Sequence, residues 1–312
     1  MAVWDGNWLW IWTADSILNG NPEAMVAVAK DLGITGVLIK SHDGTRVWGQ
    51  FVRYSLVFRS AGFRVAAWGY VYGNDPEGEA HAALEAIYAG ADLYVVDAET
   101  EFERPGKDDA ARRMLEAIRA KAPDVPVGFT SFAIVDYHRG FPWSVFAKYC
   151  DVAMPQMYWF TIGLPVEECW RWTRDGYAKM GKPIVPVGQA YDAVSYEDMV
   201  KFARIVHEDG CSGISWWSWQ HANDAQLRAI KEASGMFQYS DYAGRPTEED
   251  IELVKRLGIM VGYPDGTFRP RQAMAREEVA SALARMWRLW DREMRKTMAM
   301  AFNEAADRLI GN

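Results

Sequence analysis

The sequence is poor in the residues that build disulfide or metal frameworks. Its 312 residues include three cysteines and five histidines. The cysteines are odd in number and widely spaced, which excludes a disulfide framework and a cysteine-based zinc site. The histidines form no His-Glu-x-x-His pattern. We therefore expect no metal site and no cofactor.

Long apolar runs and basic charge are also missing. No stretch approaches the ~20 apolar residues of a membrane-spanning helix, so no membrane partner is expected. The formal net charge is −8, which does not suit phosphate contacts and excludes nucleic acid as the main partner. The first ten residues carry no basic segment, and Asp5 and Asn7 interrupt their apolar pattern. They do not predict a secretory signal.

Tryptophan, in contrast, is abundant, with 15 residues. One group lies at Trp4, Trp8, Trp10 and Trp12, and a second at Trp216, Trp217 and Trp219. The two groups meet if the intervening chain closes on itself. They would serve either as a large aromatic core or as flat platforms for sugar rings, and the sequence leaves both interpretations open.

Short β-branched or apolar runs alternate with helical patterns up to about residue 233. The predicted strands are Val3–Trp8, Gly36–Lys40, Arg64–Val71, Ala91–Asp97, Val125–Thr130, Val152–Tyr158, Ile184–Gln189 and Gly213–Trp219. The predicted helices include Pro22–Leu32, Pro76–Ala89, Lys107–Ala122 and Tyr196–Asp209. Eight strands in βα alternation predict an α/β fold, a (β/α)₈ TIM-like barrel. An open doubly wound sheet is the alternative.

The sharpest local pattern is Asp97-Ala-Glu99 at the end of the fourth predicted strand. Alternate strand residues share a face, and acids two positions apart have Cα atoms about 6.5–7 Å apart. Such a pair can flank a glycosidic bond, and mutual repulsion keeps one acid protonated. We predict that both are catalytic. An acidic loop in water is the alternative, since Glu101 and Glu103 continue the alternation.

Other polar and aromatic residues stand where predicted strands end. Active sites of such barrels lie at that end. We therefore predict that they bind substrate: Asp5, Lys40, His42, Gln156, Tyr158, Gln189, Tyr191, Trp217 and Trp219.

Several of these segments resemble glycoside hydrolase family 25 lysozymes. The similar segments are Gly36–Gly44, Val71–Pro76, Val95–Thr100, Val127–Ser131 and Ser218–His221, in the family's order. The resemblance implies a barrel that cleaves the β-1,4 bond after N-acetylmuramic acid, with Glu99 as general acid assisted by Asp97. Asp5 would match the family's first-strand Asp. The segment Met154–Tyr158 is closer to chitinase-like barrels of family 18.

The C-terminal part resembles an S-layer homology module. The similar segments are Phe237–Asp241, Gly258–Pro270 and Met274–Glu278, around a predicted helix at Glu248–Leu257. The resemblance implies binding of secondary cell-wall polysaccharide, and we assign that binding to Arg276, Asp265 and Arg269. A degenerate module kept for assembly is the alternative.

We therefore predict a catalytic barrel at 1–234, a wall-binding module at 235–288 and a helical tail at 289–312. The predicted protein is an endolysin-like muramidase of phage type that acts on peptidoglycan. It would accumulate in the host cytoplasm and act at the wall after release. The alternatives are a chitinase-like or N-acetylglucosaminidase barrel, or an inactive sugar-binding barrel. The tail carries an apolar stripe, which predicts a homo-oligomer unless it packs on the barrel: Trp290, Met294, Met298, Phe302, Ala305 and Leu309.

Overall fold

The computed structural model describes residues 2–237, 247–262, 268–291 and 294. The chain divides into two compact units, at residues 2–239 and 240–312.

The first unit is a closed barrel of parallel strands. The strands are β1 (Gly6–Ile11), β2 (Gly36–Asp43), β3 (Arg46–Val47), β4 (Arg64–Val71), β5 (Leu93–Ala98), β6 (Val127–Phe132), β7 (Val152–Met157), β8 (Val187–Gln189) and β9 (Gly213–Trp217). The short β3 is antiparallel to β2 and lies outside the barrel wall. The other strands are parallel, and β1 closes the barrel by pairing with both β2 and β9. The predicted TIM-like (β/α)₈ fold is confirmed.

Helices connect the strands and cover the outside of the barrel. They are α1 (Pro22–Asp31), α2 (Gln50–Ser60), α3 (Pro76–Tyr88), α4 (Lys107–Lys121), α5 (Trp143–Tyr149), α6 (Trp159–Ile162), α7 (Val166–Ala178), α8 (Tyr196–Glu208) and α9 (Asp224–Ser234). Four of them begin after a side chain that accepts a backbone N–H of the first turn: Asn21, Asp75, Ser195 and Asn223. Such caps satisfy N–H groups that have no partner within the helix.

The core has two layers because alternate strand residues point to opposite faces. The inner layer fills the barrel and includes Trp8, Trp10 and Trp68, each 1% exposed. The outer layer lies between strands and helices and includes the buried Trp216. The tryptophans therefore include many core residues, while Trp12 is 40% exposed at the mouth of the barrel.

The first strand begins three residues later than predicted. Asp5 stops it from starting at Val3, since its carboxylate accepts the backbone N–H of Ala2 at 2.8 Å and folds residues 2–5 into a turn. Asp5 also accepts the hydroxyl of Ser212 at 2.6 Å, just before β9. It therefore lies at the amino-terminal end of the barrel, and its predicted place beside the substrate is wrong.

The second unit contains helix α10 (Glu248–Arg256) and a helix, α11, over residues 276–291. Arg285 on α11 donates to the carbonyl of Ile259 at 3.2 Å. Trp290 and Met294 are 52% and 41% exposed, while the rest of the predicted stripe, Met298 onward, lies outside the described residues. None of the described helices is long and apolar enough to cross a membrane.

Candidate active site

The two acids stand at the carboxyl end of β5, where the barrel opens. Leu93, Val95 and Asp97 alternate into the interior, and Glu99 follows directly after the strand. Asp97 is 5% exposed. Together they line a pocket of about 90 Å³, whose walls are Trp10, Asp97, Glu99, Thr130, Gln156, Tyr158 and Trp217.

Gln156, on the inward face of β7, joins the two acids. Its Nε2 donates to Oε1 of Glu99 at 2.8 Å and to Oδ1 of Asp97 at 3.3 Å. Because one nitrogen reaches both, these two oxygens lie no more than about 6 Å apart. Both carboxyl groups therefore face the same small pocket.

Both carboxyl groups hold their protons more tightly than in water. Burial raises the pKa of Asp97 well above its ordinary value, and the neighbouring charge of Glu99 raises it further. Burial also raises the pKa of Glu99, although the hydrogen bond from Gln156 works against this. Low dielectric surroundings disfavour the charged form of an acid. The pair can therefore carry a transferable proton near neutral pH.

Two further polar groups line the same pocket. Burial and the nearby Asp97 raise the pKa of the Tyr158 phenol well above its ordinary value, so it stays a hydrogen-bond donor. The hydroxyl of Thr130 is buried and has no hydrogen-bond partner within the described part of the chain. A ligand in the pocket can satisfy it. The sequence had not singled out Thr130, although its inward position at the end of β6 could have indicated it.

Lys40 is fixed beside the acids in a cage of aromatic rings. Its ammonium contacts the Asp43 carboxylate at 2.6 Å and lies 4.6 Å from the Trp48 ring centre and 5.0 Å from that of Trp68. The side chain of Lys40 is 5% exposed. Its positive charge lowers the pKa of Asp97 and partly offsets the effect of burial.

Two further hydrogen bonds join tyrosines at the end of β4 to acidic side chains at the mouth of the barrel. Tyr72 donates to Asp43 at 2.7 Å, and Tyr70 donates to Glu101 at 2.8 Å. Glu101 accepts this hydrogen bond and is not among the residues that line the catalytic pocket. Neither tyrosine is predicted from the sequence, where the only signal is the position of Tyr70 at an inward site near the end of β4.

The structure does not bring His42 into the pocket. The pairing of β2 with β4 shifts after Lys40, so that Lys40 faces Trp68 while His42 faces Gly69. This bulge turns His42 outward, where its Nε2 lies 2.7 Å from the Tyr94 hydroxyl and its Nδ1 lies 2.8 Å from the Gly44 carbonyl oxygen. Burial lowers its pKa to about 4. The predicted substrate contact of His42 is wrong.

Trp217 and Trp219 are both predicted to bind substrate, and the structure separates them. The last strand ends at Trp217, which lines the pocket and stacks on Trp12 with ring centres 6.2 Å apart. The chain then enters a short 3₁₀ turn that sends Trp219 into the outer core beside Phe58. Trp219 is 5% exposed, so its predicted contact with substrate is wrong.

Gln189 and Tyr191 hold a loop beside the pocket. The Gln189 side chain accepts the backbone N–H of Phe160 at 3.2 Å and donates to the Thr161 hydroxyl at 3.0 Å. Tyr191 lies 3.1 Å from the same hydroxyl and packs edge-on against Tyr158. Both residues position α6 and Tyr158 and do not line the catalytic pocket.

No group of three or more His, Cys, Asp or Glu side chains in the described ranges could hold a metal ion. The chemistry that these residues can perform by themselves is proton transfer and hydrogen bonding to a substrate in the pocket.

The second unit has a cavity of its own, of about 490 Å³. Its described lining includes Arg269 and Arg285, together with apolar side chains such as Phe268 and Met274. Arg276 lies in the first turn of α11 with an exposed side chain and is not among those lining residues. The third predicted polymer-binding residue, Asp265, lies outside the described residues.

Comparisons with known proteins support the two-part organisation. Residues 238–280 match the family model of the S-layer homology domain. No curated protein sequence matches the chain.

The solved structures that resemble the barrel include two chitinases and a mannanase, all at low identity. The endo-β-1,4-mannanase of Thermotoga petrophila is 11% identical, with a TM-score of 0.58 over 76% of this chain and 77% of that one. Active domain 2 of a Pyrococcus furiosus chitinase is 15% identical, with a TM-score of 0.57 over 75% and 97%. A Chromobacterium violaceum chitinase is 12% identical, with a TM-score of 0.53 over 73% and 98%. At these identities the likeness shows the barrel fold alone.

Proposed function

We propose that the barrel is a glycoside hydrolase that cleaves peptidoglycan at the β-1,4 bond after N-acetylmuramic acid. The observation that carries this proposal is the pair Asp97 and Glu99, bridged by Gln156 in a pocket at the carboxyl ends of the strands. A protonatable acid beside a second carboxyl group is what glycoside cleavage requires. The fold shared with chitinases and a mannanase agrees with this chemistry.

In the proposed reaction Glu99 donates its proton to the leaving glycosidic oxygen as the bond to the anomeric carbon breaks. The acetamide oxygen of the sugar that contains this anomeric carbon attacks it. Asp97 orients the acetamide N–H and stabilises the positive charge that develops on the acetamide. Glu99 then removes a proton from the water that opens the ring intermediate. The Gln156 amide that bridges the two acids keeps both within reach of one sugar, as this route requires.

Aromatic side chains at the mouth suit a polymer of sugar rings. Trp217 lines the pocket, and Trp12 stacks on it with a 28° angle between the rings. Trp12 is 40% exposed. Flat apolar surfaces of this kind pack against the C–H faces of pyranose rings.

The second unit would hold the enzyme on its insoluble substrate. An S-layer homology domain that binds secondary cell-wall polysaccharide raises the effective concentration of the barrel at the wall. We infer an endolysin-like role, in which the protein accumulates in the host cytoplasm and lyses the wall after release.

A chitinase-like or N-acetylglucosaminidase specificity is the second candidate. It is favoured by the pocket lining, which among the described residues contains no cation to meet the carboxylate of a free lactyl group. Lys40, whose charge acts on Asp97, is engaged by Asp43.

One digestion separates these candidates. Purified walls are incubated with the protein, and new reducing ends are identified by mass spectrometry after borohydride reduction. Reduced muramic acid supports the muramidase, while reduced glucosamine supports the second candidate. Wall binding without new reducing ends would refute both and leave a sugar-binding barrel. The Glu99→Gln variant controls for contaminating hydrolases.

A further inference from the structure

A second pocket of about 120 Å³ adjoins the catalytic one. The two share Gln156 and Tyr158 as a common wall. The remaining lining comes from the loop after β6 and from α6, and it consists of Phe132, Ala133, Ile134, Tyr137, His138, Thr161 and Ile162. The walls are almost entirely apolar, so this pocket suits a hydrocarbon group better than a hydroxylated ring.

The pocket is partly open to solvent, since Tyr137 is 61% exposed and Ile162 is 37% exposed. A substituent that carries methyl groups can enter from the catalytic pocket and pack on its apolar walls.

The walls are held in place before any ligand binds. Tyr177 donates to the Phe132 carbonyl at 2.7 Å, and Trp143 donates to the His138 carbonyl at 2.8 Å. On the other side, the backbone N–H of Ile162 donates to the carbonyl of Tyr158 at 2.9 Å. A preformed pocket costs little ordering when a ligand enters.

We propose that this second pocket binds the lactyl ether of a muramyl sugar seated beside Tyr158, with its methyl group on the apolar walls. In peptidoglycan this lactyl group is joined by an amide to the first alanine of the stem peptide. The amide link removes the lactyl charge, and this matters because an ionised carboxylate is costly to bury in an apolar pocket. The inference rests on the proposed function and narrows it to peptide-bearing glycan.

The test measures binding to the full-length protein by calorimetry, with two disaccharides that differ in this substituent. One is N-acetylglucosaminyl-N-acetylmuramyl-L-alaninamide, which has no free carboxylate, and the other is di-N-acetylchitobiose. Two buried methyl groups correspond to about tenfold in affinity, so the first probe should bind about tenfold more tightly. Ile162→Ser should bring the two affinities within about twofold. Ile162→Leu, and Phe160→Ser on the same short helix, should keep the preference.

Equal affinities for the two probes with the unmodified protein, or no binding of either, would overturn the proposal. The proposal would also be overturned if Ile162→Ser lowered the affinity for both probes by the same factor. Cleavage is scored separately on whole walls. A protein that prefers the muramyl probe and releases no reducing ends would refute the proposed hydrolysis and retain the pocket's role.

Discussion

Gln156 donates a hydrogen bond to Glu99 across the mouth of the barrel, at 2.8 Å between the amide nitrogen and the carboxyl oxygen. The bond runs from β7 to the residue that follows β5. It stabilises the ionised form of Glu99 and so lowers a pKa that burial raises. Burial and this hydrogen bond therefore act in opposite directions on the pKa of Glu99, the group that we propose first donates and then accepts a proton.

Replacing Gln156 by Leu should shift the pH profile of wall lysis. Without the donated hydrogen bond the pKa of Glu99 rises further, so the alkaline limb of kcat/KM should move to higher pH. The rate at the optimum should fall because the carboxylate is less well supported when it accepts a proton from water. The profile is measured by release of soluble reducing ends between pH 4 and 10. An unchanged alkaline limb would show that Glu99 is not the titrating acid.

Glu99→Gln should abolish lysis and leave the fold intact. The amide keeps the size of the side chain and cannot transfer a proton, and such catalysis is worth about 10²–10⁴-fold or more. Glu101→Gln is the matched control, because Glu101 is engaged by the Tyr70 hydroxyl and should cost far less. Both rates are measured on the same wall suspension, with circular dichroism as a check of folding. A dead Glu101→Gln beside an active Glu99→Gln would reassign the acid.

Asp97→Asn should make the barrel more stable at alkaline pH while reducing lysis severely. A carboxyl group whose pKa is raised by folding stabilises the native state below its unfolded pKa of about 3.9, and this contribution is lost as the pH rises through the folded pKa. The asparagine side chain cannot ionise, so the variant does not lose this stability as the pH rises. The Tm of Asp97→Asn should therefore exceed that of the unmodified protein at pH 8, and the difference in Tm should be smaller at pH 4. Asp124→Asn, on an exposed turn, should show no such pH-dependent gap.

The barrel was predictable because its signals are local and repeated. Pro22–Asp31 and Lys107–Lys121 end within one residue of their predicted helices, since apolar spacing and terminal signals coincide there. The alternation that places Asp97 on the inward face of β5 likewise needs only the strand period of two. The module was predictable from a continuous sequence pattern.

The errors arose where one residue changes the face of a whole segment. The bulge after Lys40 turns His42 away from the pocket, and the 3₁₀ turn after Trp217 does the same to Trp219. Period-two reasoning assumes an unbroken strand and cannot foresee either event. The prediction for Asp5 was wrong for a similar reason, because a turn at residues 2–5 makes the first strand begin later than expected.

Removing the second unit should separate cleavage from wall binding. A chain that ends at residue 239 keeps Phe237, which is 3% exposed and packs edge-on against His207. It should cleave soluble glycan fragments at the full rate and sediment poorly with walls. In the full chain, Arg276→Ala should reduce sedimentation alone. The bound fraction is measured by pelleting purified walls. Equal pelleting of the shortened and full chains would show that the barrel itself is the anchor.

The stereochemistry of the first product should report retention of the anomeric configuration. The acetamide oxygen attacks from the face opposite the leaving group, and water then attacks from the face opposite the acetamide oxygen, so two inversions give net retention. Proton NMR of a soluble glycan during the first minutes of digestion should show the β anomer before mutarotation, and mass spectrometry of the rapidly quenched enzyme should show no covalent sugar adduct. An α product at the first time point would instead assign Asp97 as the base that activates water. A trapped adduct on Asp97 would make that carboxylate the nucleophile.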